Sequence, residues 1–181
     1  KAWVLLVALS IGLVSSKKLR QWSGGAEITL RDSPPGPRQL SAVFRAQNSV
    51  FIWGGGDGTD NLNSLYRFNP RDSEWTIVKS INESRIPSAR ARFAYTSSDT
   101  HLFIFGGFAS DGITSLCDLW IFDISNLRWT GYGTDTVPDT WPSPRLGAVI
   151  TLHNNSIYLF GGQTVETGIA EDNWYYDLTN Q

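Results

Sequence analysis

Leu102-Phe103-Ile104-Phe105-Gly106-Gly107 is an apolar run closed by two glycines, and the chain carries it three times. Val50-Phe51-Ile52-Trp53-Gly54-Gly55 precedes it and Ile157-Tyr158-Leu159-Phe160-Gly161-Gly162 follows it. The first glycine of each pair falls at 54, 106 and 161, a period of 52 and then 55 residues. Self-similarity at so long a period marks a repeat architecture, in which each unit buries its apolar face only by stacking on the next.

Two further markers keep step. Pro-x-x-Arg occurs at Pro35/Arg38, Pro87/Arg90 and Pro142/Arg145, and each Arg stands 16 residues before its first glycine. After the glycines come aromatic-centred runs: Leu65-Tyr66-Arg67-Phe68, Leu119-Trp120-Ile121-Phe122 and Asn173-Trp174-Tyr175-Tyr176. Trp75 lies nine residues after Tyr66, and Trp129 nine after Trp120; the third such Trp would fall at position 183, beyond Gln181. Trp22 stands 53 residues before Trp75, as Trp75 stands 54 before Trp129, so it fills the same slot one repeat earlier.

Each repeat thus predicts four short strands, here called a to d. Strand a follows Pro-x-x-Arg (Leu40–Phe44, Phe93–Thr96, Ala148–Leu152), b ends on Gly-Gly, c carries the aromatic pair and d the Trp. The turns hold Asn, Asp and Pro, whose fixed φ or self-bonding side chains suit them to that place. Strand b is apolar at successive positions, which predicts burial on both faces.

Four-stranded units of about 50 residues with these markers read as blades of a β-propeller. In the Gly-Gly pair, the aromatic about twelve residues later and the Trp nine after that, the chain resembles the kelch-repeat family from about Lys17 onward. The resemblance implies an all-β kelch-type propeller of four-stranded antiparallel blades, with about three blades' worth of strands. The expected organisation is a signal peptide over 1–16, then a partial propeller over 17–181. Its parts are a lone outer strand at 19–23, blades at 38–79 and 90–132, and an incomplete blade at 145–181. Three blades cannot close a ring, since propellers have 4–8. Two readings follow: a piece of a longer propeller, favoured by the absence of Met and the stop before the expected Trp, or a half-propeller that dimerises into a six-bladed ring. The glycines Gly54, Gly55, Gly106, Gly107, Gly161 and Gly162 leave room at the end of strand b. Trp22, Trp75 and Trp129 are expected to cover that backbone.

The N-terminal run Ala2–Val14 is 13 residues of almost wholly apolar sequence. It is shorter than the roughly 20 residues of a membrane span and has the length of a signal-peptide core. Cleavage after Ser16 and a secreted or lumenal glycoprotein are expected, with sequons at Asn82 and Asn154 as candidate glycan sites. Lys17, Lys18 and Arg20 after the run keep a membrane-anchored alternative open. Fifteen basic and 17 acidic residues, a net charge of −2 and no basic stripe argue against nucleic acid as a partner.

No nucleophile elbow, phosphate loop or paired catalytic carboxylates can be read. Galactose-oxidase-like copper enzymes share kelch-like blades; this chain has only His101, His153 and the single Cys117, without metal-ligand spacing, and the N-terminal part of such an enzyme stays as an alternative reading if the chain is a piece of a longer one. Asp57, Asp60, Asn61 and Asn63 read as loop residues, not a cation cradle. The expectation is a binding scaffold with no catalytic residues, metal or cofactor, taking a protein partner or, alternatively, carbohydrate. A structural segment of a cell-surface receptor is a further alternative. Recognition is expected on the long b–c and d–a connections, because loops on a rigid scaffold carry recognition. Phe108, Tyr132 and Trp141 are the candidate anchors there, outside the repeat markers and so not required by the blade. Arg38, Arg90 and Arg145 have two readings: hydrogen-bonded within their blades, or lining the channel mouth to touch ligand.

Overall fold

The computed structural model describes residues 34–179; the apolar N-terminal run and the lone outer strand with Trp22 lie outside the described residues. Every regular element described is a strand. In the first sheet β1 (Ala42–Ala46), β2 (Ser49–Trp53), β3 (Leu65–Asn69) and β4 (Glu74–Val78) lie side by side in chain order, all antiparallel. The middle sheet repeats this arrangement with an interrupted inner strand. There β5 (Arg90–Ala91) and β6 (Ala94–Ser97) both pair with β7 (His101–Ala109), followed by β8 (Ser115–Asp123) and β9 (Arg128–Tyr132). In the third sheet β10 (Val149–His153) and β11 (Ser156–Phe160) pair with β14 (Asn173–Asp177). A two-stranded ribbon, β12 (Gln163–Thr164) with β13 (Gly168–Ile169), stands between β11 and β14. The a–b–c–d reading is therefore met twice in full and, among the described residues of the third repeat, as far as c.

The turns explain their residues. Gln47 and Asn48, like Asn154 and Asn155, both sit at positive φ. A two-residue hairpin whose strands twist right-handedly requires this geometry, and Asn tolerates it better than most side chains.

The sheets stack face to face with their inner strands β1, β6 and β10 adjacent. Alternation within each strand sends one set of side chains to each face. Ala42, Phe44, Phe51 and Trp53 of the first sheet bury against Leu102, Ile104, Trp120 and Trp129 of the middle sheet. The other face of the middle sheet, with Phe103, Phe105, Leu119 and Ile121, buries against Ile150, Ile157 and Leu159 of the third. Burial of strand b on both faces holds only for β7, which has a sheet on each side. β2 and β11 alternate, because one face of each end sheet has no neighbour among the described residues.

The glycine pairs serve a different contact from the expected one. A Cβ on Gly106 would meet the Arg145 carbonyl at 2.7 Å, and one on Gly55 the Gln39 carbonyl at 2.5 Å. Gly55 and Gly107 donate their N–H groups to the carbonyls of Arg90 and Arg145, in each case the Pro-x-x-Arg arginine of the next repeat. The space at Gly54 and Gly106 faces the Arg90 and Arg145 carbonyls of the next sheet, and that at Gly55 and Gly107 faces the start of strand a in their own sheet; none of these close contacts is a Trp. Trp129 instead packs in the seam at 5.5 Å from Trp53 and 4.9 Å from Phe122.

Candidate binding face and its arginine clamps

Strand a starts, and strand b ends, at the pole from which the b–c connections emerge. Arg90, just inside this pole, is 1% exposed. Its Nη1 donates to the Gly106 carbonyl at 3.1 Å and to Asp118 Oδ1 at 2.5 Å, and its Nη2 donates to Asp118 Oδ2 at 2.9 Å. Asp118 also accepts the indole N–H of Trp120 at 2.6 Å. The third repeat builds the same unit. Arg145 donates to the Gly161 carbonyl (2.9 Å) and to both oxygens of Asp172 (2.5 and 2.8 Å), while Asp172 accepts from Trp174 Nε1 at 2.7 Å. Arg145 and, secondarily, the Trp174 indole hold the Asp172 carboxyl well below its usual range, at about 2. A buried guanidinium is tolerable only with such a bidentate partner. Each arginine ties strand a to the end of b and the start of c within its own sheet, and this occupies its donors.

Arg38 differs. It is half-buried, reaches the Gly54 carbonyl at 3.4 Å and Ser64 Oγ at 3.5 Å, and lies over the Tyr66 ring at 5.1 Å. Ser64 stands where Asp118 and Asp172 stand in the later repeats. The arginines were visible from the sequence; their aspartates were not singled out. The available clue was an Asp two residues before the c-strand Trp, 28 and 27 residues after Arg90 and Arg145.

The three candidate aromatics are half-buried, and they do not form one patch. Trp141 donates its indole N–H to the Cys117 carbonyl at 2.6 Å, packs edge-on against Tyr176 at 5.6 Å and covers Gly133. Tyr132 ends β9 and lies 5.8 Å from the same Tyr176; burial pushes its phenol pKa up. Both residues close the seam between the middle and third sheets, so the expectation that the blade does not require them is corrected. Phe108 lies in another cleft, between the first and middle sheets, with Leu40, Asn61 and Arg92. Its carbonyl accepts from Asn61 Nδ2 at 2.8 Å.

Arg92 is a candidate site residue that the sequence reading missed. It occupies the break between β5 and β6 at a φ of 56° and is exposed, and its guanidinium has no hydrogen-bond or ion-pair partner among the described residues. Its backbone carbonyl accepts the Gly147 N–H at 2.7 Å, which pins the strained turn to the third sheet. Leu40, Tyr95, Leu146 and Ile169 line the cleft around it. The positions equivalent to Arg92 in the other repeats are Leu40 and Gly147, both also at positive φ.

Asp57 and Cys117 have local surroundings that explain them. Asp57 accepts from the backbone N–H groups of Asp60 and Thr59, which lowers its pKa to about 2. Burial, and then the neighbouring Asp118, push the Cys117 thiol up, away from a reactive thiolate. Among the described residues no three His, Cys, Asp or Glu side chains converge as a metal site would require, and no helix is long and apolar enough to cross a membrane. Asn154 lies exposed in the β10–β11 turn, and Asn82 is half-buried in the connection after β4.

The sequence profile of the family described as the KLHDC2/KLHL20/DRC7 Kelch-repeats domain matches residues 14–181. The chain is 33% identical over 155 residues to the Rho GTPase-activating protein gacHH of Dictyostelium discoideum, covering 82% of this chain and 10% of that protein. It is 32% identical over 136 residues to the Rab9 effector protein with kelch motifs of Bos taurus, covering 72% and 33%. To the bovine Kelch domain-containing protein 2 it is 31% identical over 131 residues, covering 71% and 30%. The chain thus spans between a tenth and a third of the length of these relatives.

Proposed function

Because the chain belongs to the kelch-repeat family, we propose that it is a protein-binding scaffold, not an enzyme, and that it receives its partner at the pole where the inner strands begin, around Arg92. A kelch-bearing relative named as an effector of Rab9 supports a protein as the ligand class. The single observation that carries the site is Arg92 itself: an exposed cation without a partner among the described residues, in a cleft with apolar Leu40, Tyr95 and Ile169. A non-glycine residue in the left-handed region costs about 1–2 kcal/mol. Strain of this kind gathers at ligand-binding positions. The apolar rim supplies contact area, and the guanidinium supplies orientation towards an acidic group.

A photo-reactive residue placed at position 92 should crosslink a partner that the same residue at Asn154, on the opposite pole, does not. With that partner in hand, Arg92→Glu should weaken binding by about thirtyfold or more, the loss typical of an interface anchor. Equal crosslinking from both poles, or unchanged affinity, would refute the site. Export is a separate proposal resting on the apolar run 2–14 and the two sequons. Expression in a secreting cell should yield medium-borne protein whose mass falls on enzymatic deglycosylation. Cytosolic, unglycosylated product would end that reading.

A further inference from the structure

Ser64 stands where the later repeats carry a carboxylate. Asp118 and Asp172 each take two hydrogen bonds from a sealed arginine. The first repeat keeps the arginine and not the acid: Arg38 Nη2 lies 3.5 Å from Ser64 Oγ. The indole that gives each aspartate a further N–H is replaced as well, by Tyr66, whose ring lies under the guanidinium. The other acceptors of Arg38 are the Gly36 and Gly54 carbonyls, at 3.3 and 3.4 Å. Among the described residues no carboxylate lies within ion-pair distance of it. The first clamp is thus a fork-shaped cation facing a hydroxyl in place of an anion, and a serine hydroxyl is a group to which an anion can be added.

Room and access both favour that addition. The oxygens of a phosphoserine lie one bond further from the backbone than those of an aspartate. Arg90 and Arg145, each 1% exposed, have no space to retreat by that bond, whereas half-buried Arg38 has. A phosphate offers three strong acceptor oxygens and matches the guanidinium fork bidentately. Asp118 lies inside β8, whose pairing with β7 runs on to Ser115 and Phe108. The pairing of β2 with β3 stops at Trp53 and Leu65, so half-buried Ser64 sits just outside the ladder. The connection that it closes, residues 56–64, makes an isolated bridge between Gly56 and Asn61 and no strand pair. A segment held in this way opens locally at less cost than a strand within a ladder, and a kinase needs such an opening to reach a hydroxyl in a folded domain. The same segment joins two sheets: the Leu62 carbonyl accepts the Arg90 N–H at 3.2 Å, and Asn61 Nδ2 donates to the Phe108 carbonyl at 2.8 Å.

We propose that Ser64 is a phosphorylation site and that its phosphate completes the Arg38 clamp, stiffening the 56–64 connection and its hold on the middle sheet. The co-reactant is a nucleoside triphosphate, used by a serine kinase. Ser64 Oγ attacks the γ-phosphorus, so that an Oγ–P bond forms and the bond from that phosphorus to the bridging oxygen breaks. The nucleoside diphosphate leaves with the bonding pair, and the hydroxyl proton passes to a base of the kinase.

Two measurements on the full chain give the test. In the first, the chain is incubated with ATP and the kinases of a eukaryotic cell extract under phosphatase inhibition, and its phosphopeptides are mapped by mass spectrometry. Phosphate is expected at Ser64 and should be lost in Ser64→Ala. In the second, phosphoserine is placed at position 64 during translation and the product is compared with the unmodified chain. The urea midpoint should rise, and amide exchange across residues 56–64 should slow by about tenfold or more, the effect of a hydrogen bond to a charged group. Arg38→Leu should abolish both gains, and Arg38→Lys, which keeps the charge without the fork, should keep only part of them. If the leucine variant fails to fold, the lysine variant carries the comparison, and a gain undiminished in it would overturn the proposal. So would a gain that survives Arg38→Leu, a chain destabilised by phosphoserine at position 64, or the absence of phosphate from Ser64 in the mapped peptides.

Discussion

Arg38 and Arg90 occupy the same place in consecutive repeats, 16 residues before a glycine whose carbonyl each reaches, yet their surroundings differ. Around Arg90 a carboxylate takes two guanidinium donors and a Trp indole, and the group is sealed from water. Around Arg38 a serine hydroxyl and the face of a tyrosine suffice, because water still reaches the charge. The backbone spacing and the charge neutralisation are thus separable. The former is common to all three repeats, while the latter is present only in the two sheets whose arginine is buried.

The comparison can be broken most forcefully at Asp118. Asp118→Ala leaves the buried Arg90 charge unpaired, a change that costs about 3–5 kcal/mol. Urea denaturation followed by Trp fluorescence should show the midpoint falling accordingly. Asp172→Ala should cost less, about 1.5–3 kcal/mol, the range for hydrogen bonds to charged groups, because its side chain is 39% exposed and water can partly replace it. If the two substitutions cost the same, burial is not what separates these clamps. Ser64→Asp runs the experiment in reverse, giving the first repeat the missing carboxylate. The gain should be at most about 1 kcal/mol, as for other solvent-accessible ion pairs, and a larger gain would mean that Arg38 is more desolvated than its exposure indicates.

The smallest effect is in the pH dependence. Asp172 has its folded pKa depressed to about 2, against about 3.9 unfolded. Its contribution is therefore fully present above the unfolded value and is lost as pH falls from about 4 through about 2. Stability measured across that window should decline less steeply in Asp172→Asn than in the unaltered chain.

The strand order was legible because it rests on local chemistry: Asn pairs that accept positive φ, glycines that admit a backbone, and aromatics at fixed intervals. The candidate site was less legible because it depends on where chemically unlike residues meet. Leu40, Arg92 and Gly147 share one backbone position, but as a column of sequence they share no side-chain property, so Arg92 carried no repeat marker. Trp141 read as a free loop aromatic since nothing local announces that the Cys117 carbonyl, 24 residues away, lies under its indole. The aspartates were obscured by Ser64, which breaks their column in the first repeat. Where an environment relaxes a requirement, the pattern that records the requirement disappears with it.

In all three repeats the guanidinium-to-glycine bond spans the same 16 residues, whereas the distance from that glycine to the residue on which the arginine closes is 10, 12 and 11 residues. The first interval is gauged by a physical strut and the second is not. Insertions between Arg90 and Gly106 should therefore be rejected in a library of length variants, and those after Asp111 or Val165, at the exposed tips of the b–c connections, accepted. Evolution, or a protein engineer, can thus lengthen the b–c connections repeat by repeat without disturbing the sheets that carry them.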